Sequence, residues 1–528
     1  MSTVISPPRR EFMKKSALAS AGLVIGFHLP EAWPRDVGQT PATAAPFAPN
    51  AFVRIAPSGR VTVMVGKAEM GQGVYTSLPM ILAEELDADW NKVGFEAAPA
   101  DPAFNHTVFG MQMTGGSTSV WSSFDQLRQA GAMARAMLVN AAAEEWKVDA
   151  ATCRTEKGFV FHDATKRRLS YGALATKAAA LPVPTQVAGA AGVAPPGDVK
   201  LKDPKDFKLI GKPTRRLDTP EKTNGAAVFG IDVKRPGMLT AVVARPPVFG
   251  GKARSFSAEK TKAIKGVKTV VEIPRGVAVI ADGFWAAKRG RDALEVQWDE
   301  GPLAGFSTEN QRSDFAALAK APGAVARKDG DALAAWQAAA TRIEAEYEVP
   351  YLAHATMEPM NCVADVRADA CEVWIGSQFQ TMDQAAAAEE AGLQPQQVKI
   401  HTTFLGGGFG RRAVGDCHMV REAVQISRAV KAPVKVIWTR EDDMRGGYYR
   451  PFWYDYIAAG FDQQGNITSW IHRIVGQSIV AGTPFESAMV KHGIDGTSVE
   501  GAAELPYAIA NVQVELHSPR LPIPTLWW

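Results

Sequence analysis

The sequence predicts an α+β protein of several domains, and three observations lead to that expectation. The chain has 528 residues, which by a rough prior of ~150 residues per domain corresponds to about two to four domains. Segments with strand and helix periodicity alternate without a convincing short-period repeat. Residues 182–213 are rich in Pro, Gly, Ala and Lys, a composition typical of a linker or domain boundary.

Composition narrows the function classes. Hydrophobic residues make up 46% of the chain and charged residues 21%, as in globular proteins. The net charge is +3 and the basic residues are dispersed, so we expect no nucleic-acid partner. The four cysteines, Cys153, Cys362, Cys371 and Cys417, match no zinc or iron–sulfur spacing. We expect buried thiols; a disulfide is the alternative, and the sequence does not say which cysteines would pair.

Residues 1–44 have the pattern of a twin-arginine export leader. Arg9 and Arg10 are followed by Phe12, by a weakly apolar run at 17–29 and by a small-residue cleavage site at 42–44. This route exports folded proteins, so the pattern predicts a periplasmic location. The apolar run is too short for a standard membrane span, although an uncleaved leader would associate the protein with the inner membrane.

Between residues 45 and 195 the periodicity predicts a β-hairpin followed by helices. A small-residue loop is expected before the longest helix, with Ser122 or Ser123 as its cap. In order, the predicted elements are strands at 52–55 and 61–65, a loop at 69–76, a helix at 78–86, a strand at 93–96, a loop at 114–119 and a helix at 124–146.

The rest of the chain is predicted as two further regions joined by an Ala-rich helical connection at 306–340. The region 211–305 has antiparallel α+β character, with strands at 228–233, 239–244, 267–273, 277–280 and 296–298 and a helix from 284. In the region 340–528 we expect strands at 343–349, 372–375, 398–403 and 434–438 and helices at 383–391 and 418–430.

The run Gly-Gly-Gly-Phe-Gly-Arg-Arg at 406–412 is the most informative segment. Glycine backbone can approach a ligand closely with its N–H groups, and arginines add forked donors for phosphate or carboxylate. The run lacks the Lys-Ser/Thr of a phosphate loop and the G-x-G-x-x-G of a dinucleotide fold. A tight turn between strand and helix is therefore the alternative.

Two other loops carry candidate ligand-binding groups. In Gly71-Gln72-Gly73 a side-chain amide stands between glycines, where it could donate one hydrogen bond and accept another. The alternative is a helix-entry turn with an exposed Gln. The loop 114–119 places hydroxyls and free N–H groups before a helix, which favours an anion, although an ordinary Ser/Thr cap explains it equally well.

Other polar segments suggest structural roles. His354 and Glu358 are four residues apart, but the second histidine of a zinc helix is missing and Pro359 makes a regular helix doubtful. The acidic stretch at 438–444 is typical of the start of a helix, where negative charge is favourable. The sequence holds no G-x-S-x-G nucleophile elbow.

Taken together, these segments resemble the molybdopterin-binding subunit of the xanthine dehydrogenase/aldehyde oxidase family, closest to its isoquinoline 1-oxidoreductase and periplasmic aldehyde dehydrogenase branch. The segments that carry the resemblance are 69–73, 114–119, 354–362, 374–378, 406–412 and 438–451. The Gln loop precedes the glycine run, which is the order typical of that branch. Residues 211–305 resemble the family's α/β-hammerhead domain. Residues 45–195 and 340–528 then resemble the molybdopterin-binding region.

The resemblance implies roles for named residues. Gln72 and Phe409 would be the catalytic residues beside the molybdenum. The metal would be held by the pterin dithiolene, so no protein ligand is expected. The implied cofactor-binding residues are Gly71, Gln72, Gly73, Gly115, Gly116, Ser117, Thr118, Ser119, Gly407, Gly408, Phe409, Gly410 and Arg411.

The resemblance also implies an activity and partners. Members hydroxylate an N-heteroaromatic compound or an aldehyde with oxygen taken from water, on a molybdenum cofactor expected here in its cytosine dinucleotide form. Electrons would pass to a [2Fe–2S] small subunit and then to a cytochrome c subunit.

Two departures from the family's pattern bear on these expectations. Ala413 replaces the acidic residue of purine-oxidising members, so purine oxidation is not expected. The Gly-x-Gly-Glu motif that carries the catalytic base is not found up to Trp528. Two alternatives follow: a catalytically incomplete cofactor-binding fragment, or one half of a split subunit. A quinone-dependent dehydrogenase is a third hypothesis, disfavoured by the lack of a propeller repeat.

Overall fold

The strands and helices fall into two units. The computed structural model describes residues 47–183, 187–188, 199–483 and 485–526, so the predicted leader lies outside the described residues. One unit comprises Met1–Phe229 with Ile400–Leu405, and the other comprises Gly230–Lys399 with Gly406–Trp528. Among the described residues, no helix combines the length and the apolar character of a membrane span. The predicted domains 45–195, 211–305 and 340–528 stay predictions.

The first unit confirms the predicted β-hairpin. β2 and β3 pair antiparallel, and β4 adds to β3 in parallel, which gives a sheet of order β1-β2-β3-β4. Val53, Ile55 and Val63 are fully buried, which explains the alternating pattern of the sequence. The strands of this unit are β1 Phe47–Asn50, β2 Val53–Ile55, β3 Val61–Val65, β4 Val93–Ala97, β5 Cys153–Glu156, β6 Phe159–His162, β7 Arg167–Ser170, β8 Val187–Ala188 and β9 Val199–Lys200.

Four helices cover this unit: α1 Val74–Leu86, α2 Ser119–Trp146, α3 Tyr171–Ala179 and α4 Thr219–Asn224. The prediction that Ser122 or Ser123 caps the long helix is wrong. α2 begins directly after Thr118, and both serines are buried within its first turns. α1 and α2 approach closely at Gly131, where a Cβ would lie 2.4 Å from the carbonyl oxygen of Leu82.

The second unit contains two large sheets. Their orders are β12-β13-β10-β20-β17-β18-β19 and β15-β25-β22-β21-β16. The strands are β10 Leu239–Ala244, β11 Lys252–Ser257, β12 Val267–Ile273, β13 Gly276–Ala281, β14 Glu295–Asp299, β15 Ala324–Asp329, β16 Thr341–Val349, β17 Asn361–Val366, β18 Cys371–Ile375, β19 Val398–Thr402, β20 Val434–Ile437, β21 Trp453–Phe461, β22 Ile467–Gly476, β23 Val490–Lys491, β24 Ile494–Asp495 and β25 Val512–His517.

One sheet combines strands that are far apart in the sequence. β10 pairs in parallel with β20, so the strands at 239–281 and those at 361–437 are neighbours in the same sheet. Because such pairing is nonlocal, no periodicity within either segment could indicate it.

Two predicted elements are wrong. The strand expected at 228–233 contains a short 3₁₀ helix at Gly230–Asp232. The connection expected to be helical throughout 306–340 contains β15, which pairs antiparallel with β25. Pro322 and Gly323 end the helical pattern before β15, and pairing with a distant strand outweighs the helix propensity of its alanines.

The predicted helices of the second unit agree better with the structure than the two elements above. α10 coincides with the predicted helix at 418–430. Cys362, Cys371 and Cys417 are buried free thiols, as expected, whereas Cys153 is only partly buried. The helices are α5 Glu259–Lys262, α6 Phe284–Asp292, α7 Thr308–Ala319, α8 Ala332–Gln337, α9 Gln380–Ala391, α10 His418–Val430, α11 Arg440–Arg445, α12 Glu486–Met489 and α13 Gly496–Val499.

The close approach of α1 and α2 at Gly131 is testable. We expect Gly131→Ala to lower the free energy of unfolding by about 1–3 kcal/mol, because the added methyl group meets backbone that cannot rotate away. Urea unfolding of the whole chain, followed by circular dichroism, measures this change. Asn140→Ala, at an exposed position of the same helix, is the matched control and should leave stability within about 0.5 kcal/mol. Equal stability of the two variants would contradict this helix packing.

Candidate functional site

The Gly71-Gln72-Gly73 loop is shaped by a buried carboxylate. Glu69 is fully buried, and its Oε1 accepts hydrogen bonds from the N–H of Gly71 at 2.8 Å and of Gly73 at 3.1 Å. Its Oε2 accepts from the N–H of Tyr75 at 3.1 Å, in the first turn of α1. The φ angles of Gly71 and Gly73 are +120° and +93°, which L side chains rarely adopt. Two glycines and one acid therefore define the loop.

Two cations balance this acid. Arg216 Nη2 lies 3.0 Å from Glu69 Oε1, and Lys222 Nζ lies 3.4 Å from it. Both also contact Asp218, at 2.7 and 2.6 Å. Burial opposes ionisation of Asp218, but the hydrogen bonds from Arg216 and Lys222 lower its pKa to about 2. The base of the loop is thus a closed charge network.

Gln72 stands exposed at the tip of this loop. Its Nε2 donates to the carbonyl of Ala68 at 2.8 Å, and its Oε1 accepts from the N–H of Met70 at 2.8 Å. The amide is thereby held in one orientation. Each group has used one of its two sites, so Nε2 keeps a second N–H and Oε1 a second lone pair for a ligand.

The loop 114–119 lies beside the Gln72 loop within the first unit. Thr114 Oγ1 accepts from the N–H of Ala68 at 2.8 Å, and Lys67 Nζ donates to the carbonyl of Met113 at 3.0 Å. Burial lowers the pKa of Lys67 to about 8. Hydrogen bonds from two consecutive residues, 67 and 68, therefore tie the segments together.

The start of α2 carries no side-chain cap. Thr118 is in the cap position, but its hydroxyl donates back to the carbonyl of Gly115 at 2.8 Å and does not accept from the helix. Gly116 and Ser117 are exposed and have φ angles of +63° and +55°. The ordinary Thr cap is therefore absent, and the N–H groups at the start of a 28-residue helix face an exposed loop. Such a helix start favours an anion.

In the second unit, Glu358 organises the glycine run. Its Oε2 accepts from the N–H of Gly406 at 2.9 Å and from Arg412 Nη2 at 3.1 Å. Its Oε1 accepts from Asn361 Nδ2 at 2.9 Å and from the N–H of Ile231 at 3.1 Å. A Cβ at position 406 would lie 2.3 Å from Glu358 Cβ, so only glycine fits there. The structural role expected for Glu358 agrees with this arrangement, but the four donors around it were not predicted.

The run then forms a tip that presents Phe409. Gly407, Phe409 and Gly410 all have left-handed φ angles, of +100°, +52° and +93°. Phe409 is 57% exposed, and an aromatic residue in this region of φ is strained. The surrounding glycines and the bonds at Glu358 hold this unusual conformation.

Both arginines of the run point inward. Arg412 donates from Nε to the carbonyl of Gly407 at 2.9 Å, beside its contact with Glu358. Arg411 is 2% exposed, and its guanidinium lies over the rings of Trp438 and Tyr448. The predicted cofactor contact of Arg411 stays a prediction; with its guanidinium buried, such a contact would come from the backbone.

The other predicted site residues remain in two groups, one in each unit. Gly71 to Gly73 and the loop 115–119 belong to the first unit, and 407–411 belong to the second. Within the described residues, no three His, Cys, Asp or Glu side chains are grouped to hold a metal ion. The sequence patterns did not single out Glu69 or Arg216. The signal that could have indicated Glu69 is an acid two residues before the first of two spaced glycines.

Comparison with known proteins gives these loops a context. Two models described as "Molybdopterin cofactor-binding domain" match residues 17–233 and 318–519. The first match contains the Gln72 and Thr114 loops, and the second contains Glu358 and the glycine run.

Three curated relatives are similar over most of the chain. The beta subunit of isoquinoline 1-oxidoreductase from Brevundimonas diminuta is 34% identical, over 84% of this chain and 60% of the relative. A membrane-bound aldehyde dehydrogenase [pyrroloquinoline-quinone] of Gluconacetobacter polyoxogenes is 32% identical, over 92% and 62%. A nicotinate dehydrogenase subunit of Pseudomonas putida is 28% identical, over 83% and 36%. The chain thus spans less than two thirds of the length of each.

The bonds at Glu358 yield a prediction. We expect Glu358→Gln to cost about 3–5 kcal/mol of stability, because one carboxylate oxygen becomes an N–H₂ that faces donors while Arg412 stays buried without its countercharge. Loosening of the run should also speed tryptic cleavage after Arg411 and Arg412. Thermal unfolding and timed proteolysis measure both effects. Glu389→Gln removes an exposed partner of Arg421 and should change neither; equal behaviour of the two variants would contradict the role of Glu358.

Proposed function

Because the chain belongs to the xanthine dehydrogenase/aldehyde oxidase family of molybdopterin-binding subunits, we propose that it holds a molybdenum–pterin cofactor in an oxidoreductase that hydroxylates an N-heteroaromatic compound or an aldehyde. The observation that carries the proposal is the uncapped start of α2 beside the exposed residues Gly116 and Ser117, where N–H groups are available for a phosphate. We further propose the cytosine dinucleotide form of the pterin, whose pyrophosphate suits this position.

The space around the loops suits a group that lies against backbone. A Cβ on Gly71 would meet no atom within 4 Å, and one on Gly116 would meet only Thr118 of its own turn. Both glycines are exposed, so a ligand can reach the N–H and carbonyl groups beside them. In the second unit the run is less open, because Gly408 is buried and a Cβ on Gly407 would lie 3.3 Å from Thr356 Cβ.

When bound, the cofactor supplies two-electron oxidation with oxygen derived from water. Gln72 would orient a ligand oxygen through its amide, which is held ready by Ala68 and Met70. Phe409 would form an apolar wall for a flat substrate, since its ring is presented to the outside by a strained backbone. Glu69 and Glu358 would keep the two loops rigid without touching the substrate.

Partners and location are part of the same proposal. The four cysteines of the chain are not grouped for a cluster, so electrons would pass to a separate [2Fe–2S] subunit and from it to a cytochrome c subunit. The twin-arginine pattern at 1–44 supports a periplasmic enzyme, exported folded.

The relatives support two substrate classes. Their names contain isoquinoline, aldehyde and nicotinate, two of which are N-heteroaromatic. Ala413 is buried and uncharged, so it offers no acidic partner to a purine. We therefore propose an isoquinoline-like heterocycle or an aldehyde, and not a purine.

Metal content and turnover test this function together. The chain is produced in a host that makes the cytosine dinucleotide cofactor, together with a [2Fe–2S] small subunit. Molybdenum is measured by mass spectrometry, and dye-linked oxidation is measured with isoquinoline and acetaldehyde. Bound molybdenum with turnover supports the full proposal. Bound molybdenum without turnover supports the alternative of a cofactor-binding fragment or half of a split subunit, and absence of molybdenum overturns the proposal.

A charge change at the α2 loop gives a sharper prediction. Ser117→Asp should leave stability unchanged or raised, because Asp tolerates a left-handed φ and favours a helix start. It should lower bound molybdenum and acid-released CMP about tenfold, because a carboxylate repels a pyrophosphate at short range. Ser117→Asn is the matched neutral control and should retain the wild-type amounts of molybdenum and CMP. Equal cofactor content in the two variants would count against phosphate binding at this loop.

A further inference from the structure

A cavity with a polar lining lies in the second unit, beneath the glycine run. The centre of a water-sized sphere has about 20 Å³ of space there, within about 250 Å³ of empty space that includes open solvent. Its polar lining consists of Arg411, Arg412, His418, Asp383 and Cys417, and the rest of the lining is mainly apolar. Arg411, Arg412 and His418 are each at most 4% exposed, so their polar atoms have little contact with bulk water.

The lining has a surplus of hydrogen-bond donors. Four buried nitrogens have no hydrogen-bond partner in the part of the chain that the structure describes. They are Nε and Nη2 of Arg411, Nη1 of Arg412 and Nδ1 of His418. His418 Nε2 lies 3.0 Å from Arg411 Nη1, which can only donate, so the ring proton must be on Nδ1. All four unpartnered atoms are therefore N–H donors, and such groups are costly to bury without an acceptor.

The cavity also has an excess of positive charge, which favours an anion as does the surplus of donors. Arg412 is paired with Glu358, but Arg411 has no ion pair among the described residues. Asp443 acts on Arg411 through its charge, but its Oδ2 accepts a hydrogen bond from Arg440, and its Oδ1 has no partner among the described residues. Asp383 is the acid of the lining; it accepts from Ser377, and burial raises its pKa to about 6. Arg411 is thus a buried cation without a countercharge in contact.

The geometry of Arg411 indicates the kind of ligand. Its Nη1 is used by His418, and the two unpartnered nitrogens, Nε and Nη2, form one edge of the guanidinium. That edge can donate two parallel hydrogen bonds, which match two oxygens of a carboxylate or phosphate better than a single spherical ion.

We propose that this cavity binds a small oxyanion, a carboxylate or an inorganic phosphate, with two of its oxygens on the Nε–Nη2 edge of Arg411 and with Arg412 and His418 as further donors. The ligand supplies the missing acceptor for four buried N–H groups and the missing countercharge for Arg411. The site is built entirely from the second unit and does not require the molybdenum cofactor.

Equilibrium dialysis of radiolabelled formate and phosphate against the whole wild-type chain tests binding without any substitution. We expect one saturable site for one of the two anions, competed by the other and not by chloride at equal ionic strength. Preference for formate identifies a carboxylate site, and preference for phosphate identifies a phosphate site. Absence of saturable binding of either anion overturns the proposal.

Thermal unfolding locates the site. The preferred anion should raise the Tm of the wild-type chain by about 2–4 °C at saturation. Arg411→Met keeps the bulk of the side chain and should lose this rise, whereas Arg428→Met, at an exposed arginine of α10, should keep it. The same rise in Arg411→Met would overturn the assignment. If Arg411→Met does not fold, His418→Phe keeps the ring and should weaken binding about tenfold through the lost donor.

The Ser117→Asp variant, in which we expect less bound cofactor, distinguishes the oxyanion site from the proposed cofactor site. Ser117→Asp should bind the anion as the wild type does, because residue 117 belongs to the first unit. Loss of anion binding in that variant would place the oxyanion with the cofactor and overturn an independent site.

Discussion

The Glu358 carboxylate is the interaction on which the candidate site of the second unit depends. Four donors converge on it, from Ile231, Asn361, Gly406 and Arg412. A buried carboxylate is tolerated only when its lone pairs accept hydrogen bonds and its charge is balanced. The four donor residues and Glu358 therefore hold one another in place. The conformation of the glycine run, including the strained Phe409, follows from this constraint and not from the glycines alone.

In the first unit, too, a buried carboxylate fixes the conformation of a glycine-rich loop. Glycine-rich loops lose more backbone entropy on folding than other segments, so a loop such as 71–73 needs strong local bonds to hold one shape. Glu69 supplies them by accepting from three backbone N–H groups, while Arg216 and Lys222 balance its charge. In each unit a buried acid forms the rigid base, and a single side chain, Gln72 or Phe409, is presented from it.

Donor groups outnumber acceptors at the start of α2 and in the cavity beneath the glycine run. The first offers backbone N–H groups, and the second offers guanidinium and imidazole N–H groups. A protein with dispersed charge and a net charge of only +3 has no overall attraction for anions. The anion binding that we propose would therefore arise from local arrangements of donors.

The sequence by itself determined the features that short-range physics controls. Period-2 alternation located the hairpin of β2 and β3, helical spacing located α10, and glycines with polar neighbours located the three candidate ligand-binding loops. Tertiary structure alone decided the rest. It placed β10 beside β20 in one sheet and turned part of the 306–340 connection into β15. It also buried Arg411 and brought four donors to Glu358. These outcomes depend on contacts between residues far apart in the chain, whose energies exceed local propensity and leave no periodic trace in the sequence.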